Sequence, residues 1–388
     1  MLDLDKTTWQ RVKFGDVIQS VTVRVNDPAE AGVERYVGLE HLDPGVLTVK
    51  RWDDPSKVSA QKLLFKAGDV IFGRRRAYQK KVARADFEGI CSAHALVLRA
   101  IPDKIDPDFL PIFLSSDYFL NRAIGISVGS LSPTVNWRDL KAQEFDLPPL
   151  DEQKRIADLL WAVERHLQSL QRASISLSLS SSVYFSTSIN KEGTQTTLGE
   201  CLSSIVDRRG ITPKKLGGEF IGQGVRVISA MNIVDNRLSY ARQERFVDEP
   251  IAKKWMKGPL LAGDILLTSE APLGQSVFIE EELDVCVGQR LFALRPDRNV
   301  VEPRFLYELI RSEIGQYALH SRASGTTVKG IRQTELVKVP VLLPPRELQE
   351  CIVDSMTATS GGQEVIRSEL ALLSRLRSSL LSKIFGES

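Results

Sequence analysis

The chain contains one sequence pattern twice, about 195 residues apart. The stretch KAGDVI at residues 66–71 recurs as LAGDIL at residues 261–266. The Leu-Pro-Pro of residues 147–149 recurs at residues 343–345, and between these two points the offset changes by a single residue. Further matched pairs are Cys91 with Cys286, Phe109 with Phe305, Gly129 with Gly325, and Gln153 with Gln349. A constant offset over this distance indicates a tandem duplication of half the chain.

Each copy is longer than the unit of a solenoid repeat, whose period is about 20–50 residues, so each copy is expected to be a domain followed by an appendage. Short strands are predicted at residues 35–39 and 225–229, and the apolar runs after each Gly-Asp predict strands from Val70 and from Ile265. Residues 108–124 and 304–319 are predicted helices, each entered through a proline. The fold class predicted for the duplicated domain is α+β.

After each Pro-Pro the apolar spacing changes to that of a long helix. Apolar residues recur in alternating steps of four and three, the heptad seam of a coiled coil, with serines at Ser174 and Ser181 weakening the first seam near its end. The seam residues are Ile156, Leu160, Val163, Leu167 and Leu170 in the first helix, and Ile352, Ile366, Leu370, Leu373 and Leu380 in the second. A single such helix more often packs on its own domain, but two in duplicated positions favour pairing with each other.

Gly361-Gly362 interrupts the second helix. Two adjacent glycines cost roughly 2 kcal/mol relative to alanine in a helix interior, so we expect a kink or break there. The whole chain then divides into four segments. These are a first domain over residues 1–146, a central helical region over 147–192, a second domain over 193–342 and a C-terminal helical region over 343–388.

Composition limits the surfaces that the chain can offer. A net charge of +2 over 388 residues excludes a uniformly basic surface, so any nucleic-acid contact must be local. Four scattered cysteines without a C-x-x-C pair indicate reduced thiols. Since no apolar run approaches the ~18 residues of a membrane span, we expect a soluble cytoplasmic protein without a membrane partner.

The sequence contains no convincing catalytic motif. Its four histidines lie far from one another, and none has a cysteine at the spacing typical of metal ligands. No metal site is therefore expected. Neither a G-x-S-x-G elbow nor a G-x-x-x-x-G-K-[ST] loop is present. Glu152 and Lys154 have the E-x-K spacing of many nucleases, but they open a helix, where an acid followed by a base is expected from the macrodipole. The chain is therefore predicted not to be an enzyme.

These features together resemble the specificity (S) subunit of type I restriction–modification systems. The junction LPPLDEQKRI at residues 147–156 is similar to that family's junction, and residues 376–387 are similar to its usual C-terminus. The resemblance covers nearly the whole chain. Arg346-Glu347-Leu348-Gln349 at the second junction and the Gly-Gly pair depart from the pattern.

The resemblance implies two target-recognition domains separated by an antiparallel coiled coil of two helices. Each domain would bind one half of a bipartite, asymmetric site in double-stranded DNA. The helices would dock two modification (methyltransferase) subunits, and the complex would recruit restriction (translocase/nuclease) subunits. S-adenosylmethionine, ATP and Mg would be used by those partners, with no cofactor bound by this chain.

Local chemistry suggests where DNA would be contacted. A basic loop follows the Gly-Asp strand of the first copy, and polar loops precede each Pro-Pro. The candidates are Arg74, Arg75, Arg76, Tyr78, Lys80 and Lys81 in the basic loop, Ser130, Thr134, Asn136 and Arg138 in the first polar loop, and Thr326, Thr327, Lys329 and Arg332 in the second. His41 and Asn232 are weaker candidates. The simpler interpretation is a solvated strand–loop surface in the first case and ordinary polar turns in the others.

A helix of about 35 residues is roughly 50 Å long, comparable with about 15 base pairs, so the helices could set the unrecognised spacer between half-sites. Lengthening both helices by a heptad should then change the spacer and leave the half-sites unchanged. The alternatives are a specificity subunit of a related system with a fused nuclease–methyltransferase partner, a stand-alone DNA nuclease, and a helical scaffold with no DNA role.

Overall fold

The two copies of the repeat fold as two units in the computed structural model, which describes residues 5–325 and 328–386. Unit 1 consists of Met1–Ala173 and Ile366–Ser388, and unit 2 consists of Ser174–Val365. Each unit thus holds one copy of the duplicated domain together with a part of each long helix. The predicted segments at residues 147–192 and 343–388 are shared between the units in this way.

The elements of the two copies correspond one to one over most of their length. In the first copy they are β1 (Gln10–Lys13), α1 (Phe14–Val17), β2 (Ile18–Val21), β3 (Arg24–Val25), β4 (Tyr36–Val37), β5 (Lys62–Phe65), β6 (Val70–Phe72), β7 (Val82–Arg84), β8 (Gly89–Ser92), β9 (Leu96–Ala100), α2 (Phe109–Ser115), α3 (Asp117–Gly125), α4 (Trp137–Leu140), β10 (Glu144–Leu147) and α5 (Leu150–Glu192). In the second copy they are β11 (Thr194–Thr197), β12 (Leu202–Asp207), β13 (Val225–Ile228), β14 (Ile233–Val234), β15 (Arg237–Leu238), β16 (Phe246–Val247), α6 (Glu249–Trp255), β17 (Ile265–Thr268), β18 (Ser276–Phe278), β19 (Val285–Val287), β20 (Leu291–Pro296), α7 (Pro303–Arg311), α8 (Glu313–Ser321), α9 (Gln333–Leu336), β21 (Pro340–Leu343) and α10 (Arg346–Phe385).

The sheets repeat in the same way. An antiparallel sheet has the order β2-β9-β6-β7 in unit 1 and β12-β20-β17-β18 in unit 2. A second sheet has the order β3-β5-β8-β4 in unit 1 and β16-β13-β19 in unit 2, and each contains one parallel pair, β4 with β8 and β13 with β19. The first and last strands of each copy pair antiparallel, β1 with β10 and β11 with β21. The predicted α+β tandem duplication is confirmed.

The repeated Gly-Asp motif builds a turn and a buried ion pair. Gly68 and Gly263 have φ values of +91° and +96°, a conformation that glycine adopts without a steric penalty. The aspartates that follow, Asp69 and Asp264, are almost fully buried. Each accepts two hydrogen bonds from one arginine on the neighbouring strand, at 2.6 and 2.7 Å from Arg99 to Asp69 and at 2.8 and 2.7 Å from Arg295 to Asp264. The motif therefore fixes the entry into β6 and β17.

The single helices predicted at residues 108–124 and 304–319 are each two helices, so those predictions are corrected. The chain is extended at Ser116 (φ −71°, ψ 148°) and at Ser312 (φ −62°, ψ 158°). Each serine hydroxyl accepts a hydrogen bond from a backbone N–H three residues on, which caps the second helix. Serine at this position starts a new helix although the apolar spacing continues across it.

Gln153 and Gln349 fasten the long helices to their domains. Both side chains are almost fully buried. Each amide makes the same two bonds of 2.8 Å: its oxygen accepts from a backbone N–H, and its nitrogen donates to the carbonyl of the first residue of the Pro-Pro pair. The partners are Asp106 and Pro148 for Gln153, and Glu302 and Pro344 for Gln349. Gln153, the middle residue of the E-x-K spacing at residues 152–154, therefore has a structural role.

The long helices pair in antiparallel directions, as predicted. Ion pairs and hydrogen bonds join the two helices, and the partner's residue number on α10 falls as the residue number on α5 rises. The pairs are Glu164 with Arg377 at 3.0 Å, His166 with Glu369 at 2.8 Å, and Ser178 with Gln363 at 2.6 Å. Five seam residues, Ile156, Leu160, Val163 and Leu167 of α5 and Ile352 of α10, are buried. The others, Leu170, Ile366, Leu370, Leu373 and Leu380, are half-buried.

Of the kink or break predicted at Gly361-Gly362, the break is wrong, because α10 is one continuous helix from Arg346 to Phe385. A Cβ on Gly362 would lie 3.3 Å from Cδ2 of Leu177 on α5, whereas a Cβ on Gly361 would point into open space. Packing against α5 holds this stretch helical despite the low helix propensity of glycine. Tertiary packing supplies most helical stability in folded proteins.

The C-terminal end of each long helix enters a domain core. Phe385 of α10 packs in the core of unit 1, with its ring centroid 5.9 Å from that of Phe109. Phe185 of α5 packs in the core of unit 2, 6.0 Å from Phe305. Each core is thus closed by the start of one long helix and the end of the other.

Candidate nucleic-acid interface

The basic loop of the first copy follows β6 and owes its shape to two left-handed residues. Arg76 (φ 55°) and Lys80 (φ 53°) flank a 3₁₀ turn at Ala77–Gln79. Ala77 is buried and anchors the turn, while Tyr78 is 52% exposed. The backbone N–H of Gly73 donates to the carbonyl of Lys81 at 2.9 Å and closes the base of the loop. The loop is therefore a defined protrusion that carries the predicted basic residues.

The structure brings the first predicted polar loop against this basic loop. Val128 and Thr134 form a small hairpin, and Thr134 also forms a bridge with Arg75. The backbone N–H of Arg76 donates to the carbonyl of Pro133 at 2.7 Å. About sixty residues of sequence separate the two segments, yet they form one continuous surface.

The predicted residues of this surface differ in their exposure and in whether they have intramolecular hydrogen-bond or ion-pair partners. Arg75, Ser130 and Tyr78 are exposed. The Nε of Arg76 donates to the hydroxyl of Ser132 at 3.2 Å, and the Nε of Arg74 has no hydrogen-bond partner within the described part of the chain. Arg75 and Arg76 therefore present cationic groups at the surface, the kind that contacts phosphates and guanine edges, whereas the Nε of Arg74 is buried.

Other predicted residues have intramolecular partners. The Nζ of Lys81 donates to the carbonyl of Leu39 at 2.6 Å and is half-buried. Lys80 pairs with Asp117, and Arg138 pairs with Asp139 while remaining 84% exposed. Asn136 precedes α4 and donates to the carboxylate of Asp139 at 3.4 Å, and the hydroxyl of Thr134 donates to the carbonyl of Ser132 at 3.1 Å. Lys81, Asn136 and Thr134 thus support the local backbone, whereas Lys80 and Arg138 keep exposed cations.

Unit 2 builds the same pair of loops with different side chains. Glu270 forms a bridge with Gly330, and Ser324 pairs with Gly330, as Arg75 and Val128 do with Thr134 in unit 1. Lys329 and Arg332 are exposed on this loop. Thr326 and Thr327 lie outside the described residues.

Some exposed residues of these loops were not predicted. Leu131, at the tip of the first hairpin, is 91% exposed. In unit 2, Arg290 pairs with Glu270 at 2.9 Å, and the guanidinium of Arg245 lies 5.0 Å from the ring of Phe220. The available sequence signal for Arg290 was a basic residue four positions after Cys286, the residue matched to Cys91. An isolated apolar residue between serines was the signal for Leu131.

The weaker candidates His41 and Asn232 are structural. Both are buried in equivalent 3₁₀ turns at Leu39–His41 and Ala230–Asn232. The Nδ1 of His41 accepts from the N–H of Gly38, and the Oδ1 of Asn232 accepts from the N–H of Ser229, each at 3.0 Å. His41 and Asn232 therefore accept the same backbone hydrogen bond in their turns, and neither side chain is available to DNA.

The described residues contain no cluster of metal-ligating side chains, and three of their cysteines are buried. Within residues 5–325 and 328–386 no three His, Cys, Asp or Glu side chains lie close enough together to hold a metal ion. Burial raises the pKa of Cys91, and raises the pKa of both Cys201 and Cys286 to about 11, so these thiols stay protonated at neutral pH. Across the same residues, no helix combines the length and apolar character needed to cross a membrane.

Comparison with known proteins agrees with this architecture. The EcoDI specificity subunit of a type I restriction enzyme from Escherichia coli is 27% identical over 157 residues, which are 38% of this chain and 33% of that subunit. The MjaVIII specificity subunit from Methanocaldococcus jannaschii is 22% identical over 412 residues, covering 96% of this chain and 91% of that one.

Solved structures show the same fold. A chain from a study of complex assembly and conformational transition of the type I restriction–modification system matches with a TM-score of 0.57 and 22% identity, covering 97% of both chains. The type I restriction–modification S subunit from M. genitalium matches with a TM-score of 0.57 and 16% identity, covering 100% of this chain and 98% of that one.

The family described as the type I restriction modification DNA specificity domain matches residues 6–177 and, a second time, residues 208–371. The two matches fall on the two copies of the repeat. The chain belongs to this family and carries its domain twice.

Proposed function

We propose that this chain is the subunit that gives a type I restriction–modification complex its DNA sequence specificity. The observation that carries the proposal is a pair of bridged loops built twice on one backbone plan with different exposed side chains. A duplication that served only stability would have no need of different surface chemistry at matched positions. Each domain would bind one half of a bipartite, asymmetric target, and the chain itself would have no catalytic activity.

The long helices would dock the partner subunits. Ile175, Leu179 and Val183 of α5 are each 61% exposed, and their four-residue spacing places them on one face. Val365 and Leu372 of α10 are 65% and 63% exposed. Exposed apolar side chains in rows mark protein interaction surfaces. The buried seam residues Ile156, Leu160, Val163 and Leu167 hold the helices in place. A partner would therefore contact the exposed apolar residues of α5 and α10 instead.

The partners that fit this role are two modification (methyltransferase) subunits, joined by restriction subunits that translocate and cleave DNA. S-adenosylmethionine, ATP and Mg would be bound by those subunits. The similarity to solved type I system chains supports assembly into such a complex.

The test is selection of duplexes from a random pool by the purified full-length chain, without metal. Enrichment of two short motifs with a fixed, degenerate spacer between them is expected. Enrichment of no sequence, with or without added modification subunits, would contradict the proposal. Cleavage of the pool on addition of magnesium would instead support the nuclease alternative.

A further inference from the structure

The two domains place opposite charges at one equivalent backbone position. Arg75 in unit 1 and Glu270 in unit 2 are each the loop residue that bridges to the second loop. The residue that follows each of them, Arg76 or Ala271, is left-handed with φ of 55°. Because both positions form the equivalent bridge and precede a left-handed residue, the main difference in what they offer to a ligand is the side chain.

Each of these side chains also meets a partner from the same neighbouring turn. In unit 1 the Nη1 of Arg75 lies 3.4 Å from Nε2 of His94, just before β9. In unit 2 a carboxylate oxygen of Glu270 lies 2.9 Å from the Nε of Arg290, just before β20. Burial, followed by the charges of neighbouring cations including Arg75, lowers the pKa of His94, so its ring is neutral at neutral pH. Within the described residues, the first position is therefore a cation without an ion-pair partner, beside a neutral ring, and the second is an ion pair.

We propose that this matched position determines one base in each half-site, an inference that rests on the proposed function. The forked guanidinium of Arg75 suits the two acceptors, O6 and N7, on the major-groove edge of guanine. A carboxylate near DNA is repelled by the phosphates and is useful only where it accepts a hydrogen bond from a base amino group. Glu270 therefore selects a base with an exocyclic amino group in the major groove, cytosine or adenine. Arg290 holds the carboxylate in place and offsets its charge.

The experiment applies the duplex selection to the full-length chain with Arg75→Gln and, separately, Glu270→Gln. Glutamine suits adenine rather than guanine, so Arg75→Gln should lower the guanine preference at one position of one half-site by about tenfold. The other half-site should keep its sequence. Glu270→Gln should change one position of the opposite half-site. Arg138→Ala is the control, because Arg138 is an exposed cation outside the matched position and its loss is expected to weaken all sequences alike.

A second measurement changes the DNA and begins with the wild-type chain. Duplexes in which 7-deazaguanine replaces each selected guanine in turn lack the N7 acceptor. The wild-type chain should bind one of them about tenfold more weakly, and Arg75→Gln should remove that difference.

The outcomes separate the two proposals. If the wild-type chain enriches no bipartite motif, the proposed function fails. If it does, but both glutamine variants keep every base preference and bind all duplexes more weakly, the position contacts phosphate and the inference is overturned. Arg75 is exposed and Glu270 is partly exposed at the surface, so thermal unfolding near that of the wild type is expected, and either variant decides the question for its own domain.

Discussion

The ion pair between Glu164 and Arg377 places two charges in the helical seam of unit 1. Their side chains are 5% and 22% exposed, and the Nη1 of Arg377 lies 3.0 Å from a carboxylate oxygen of Glu164. The other carboxylate oxygen accepts from the amide of Gln168 at 3.0 Å. Arg377→Met would leave a buried carboxylate without its counter-ion. Removing one partner of a buried pair typically costs about 3–5 kcal/mol.

Replacing both charges should reverse most of that loss. Leucine and methionine fill similar volumes without a desolvation penalty, so a buried ion pair can often be exchanged for apolar residues at little cost. The double variant Glu164→Leu, Arg377→Met is therefore expected within about 1 kcal/mol of the wild type. The assay is a double-mutant cycle by thermal unfolding. The single variant Arg377→Met should lower the Tm by roughly 6–20 °C for a unit of this size.

Asp151 and Arg155 provide the matched control, since they form an exposed ion pair on the same helix, with side chains 79% and 75% exposed. Arg155→Met should leave the Tm unchanged within error, because exposed pairs contribute little. The argument fails if Arg377→Met melts like the wild type. It also fails if the double variant loses as much stability as the two single variants together.

Three further predictions concern the helices, the thiols and the loops. Gly361→Ala should stabilise the chain by about 0.5–1 kcal/mol in urea unfolding, because its Cβ meets open space in a continuous helix; a loss of stability would show that the glycine is required there. Native chain should react with Ellman's reagent at Cys351, which is exposed, while the three buried thiols react after denaturation; rapid native labelling of Cys286 would contradict its burial. Arg75→Ala and Lys329→Ala should each weaken DNA binding, and Lys329→Ala should also reduce the slope of log K against log salt by about one. An unchanged affinity and slope in both variants would remove these loops from the interface.

Local sequence signals predicted the duplicated framework well. The Gly-Asp turns precede buried strands because Gly68 adopts a positive φ and Asp69 pairs with Arg99. Those requirements are encoded within a few residues and therefore recur visibly. The alternating steps of four and three likewise identified both long helices and their pairing, since that spacing fixes a narrow apolar seam.

Features set by contacts distant in sequence were not predicted. Arg377 occupies a seam position between Leu373 and Leu380, but a charge there appears as a gap in an apolar pattern until Glu164 is seen opposite it. The helix through Gly361-Gly362 depends on packing against α5, which no local propensity records. The contact between the basic loop and the segment around Thr134 depends on backbone bridges between residues that are distant in sequence. Composition alone identified the candidate loops, whereas only the structure shows that they contact each other.

The matched and unmatched residues of the duplication fall in different places, and that distribution has a physical reason. Asp69 and Asp264, like Gln153 and Gln349, are identical in both copies and almost fully buried, where a change would leave polar groups unpaired. Arg75 and its counterpart Glu270 differ and lie at the surface, where most substitutions change stability by about 0.5 kcal/mol or less. The domain can therefore exchange its contact chemistry without altering the turns and ion pairs that hold the loops in position. The fold therefore permits a difference in charge at this matched surface position, and the duplex selection decides whether DNA binding uses it.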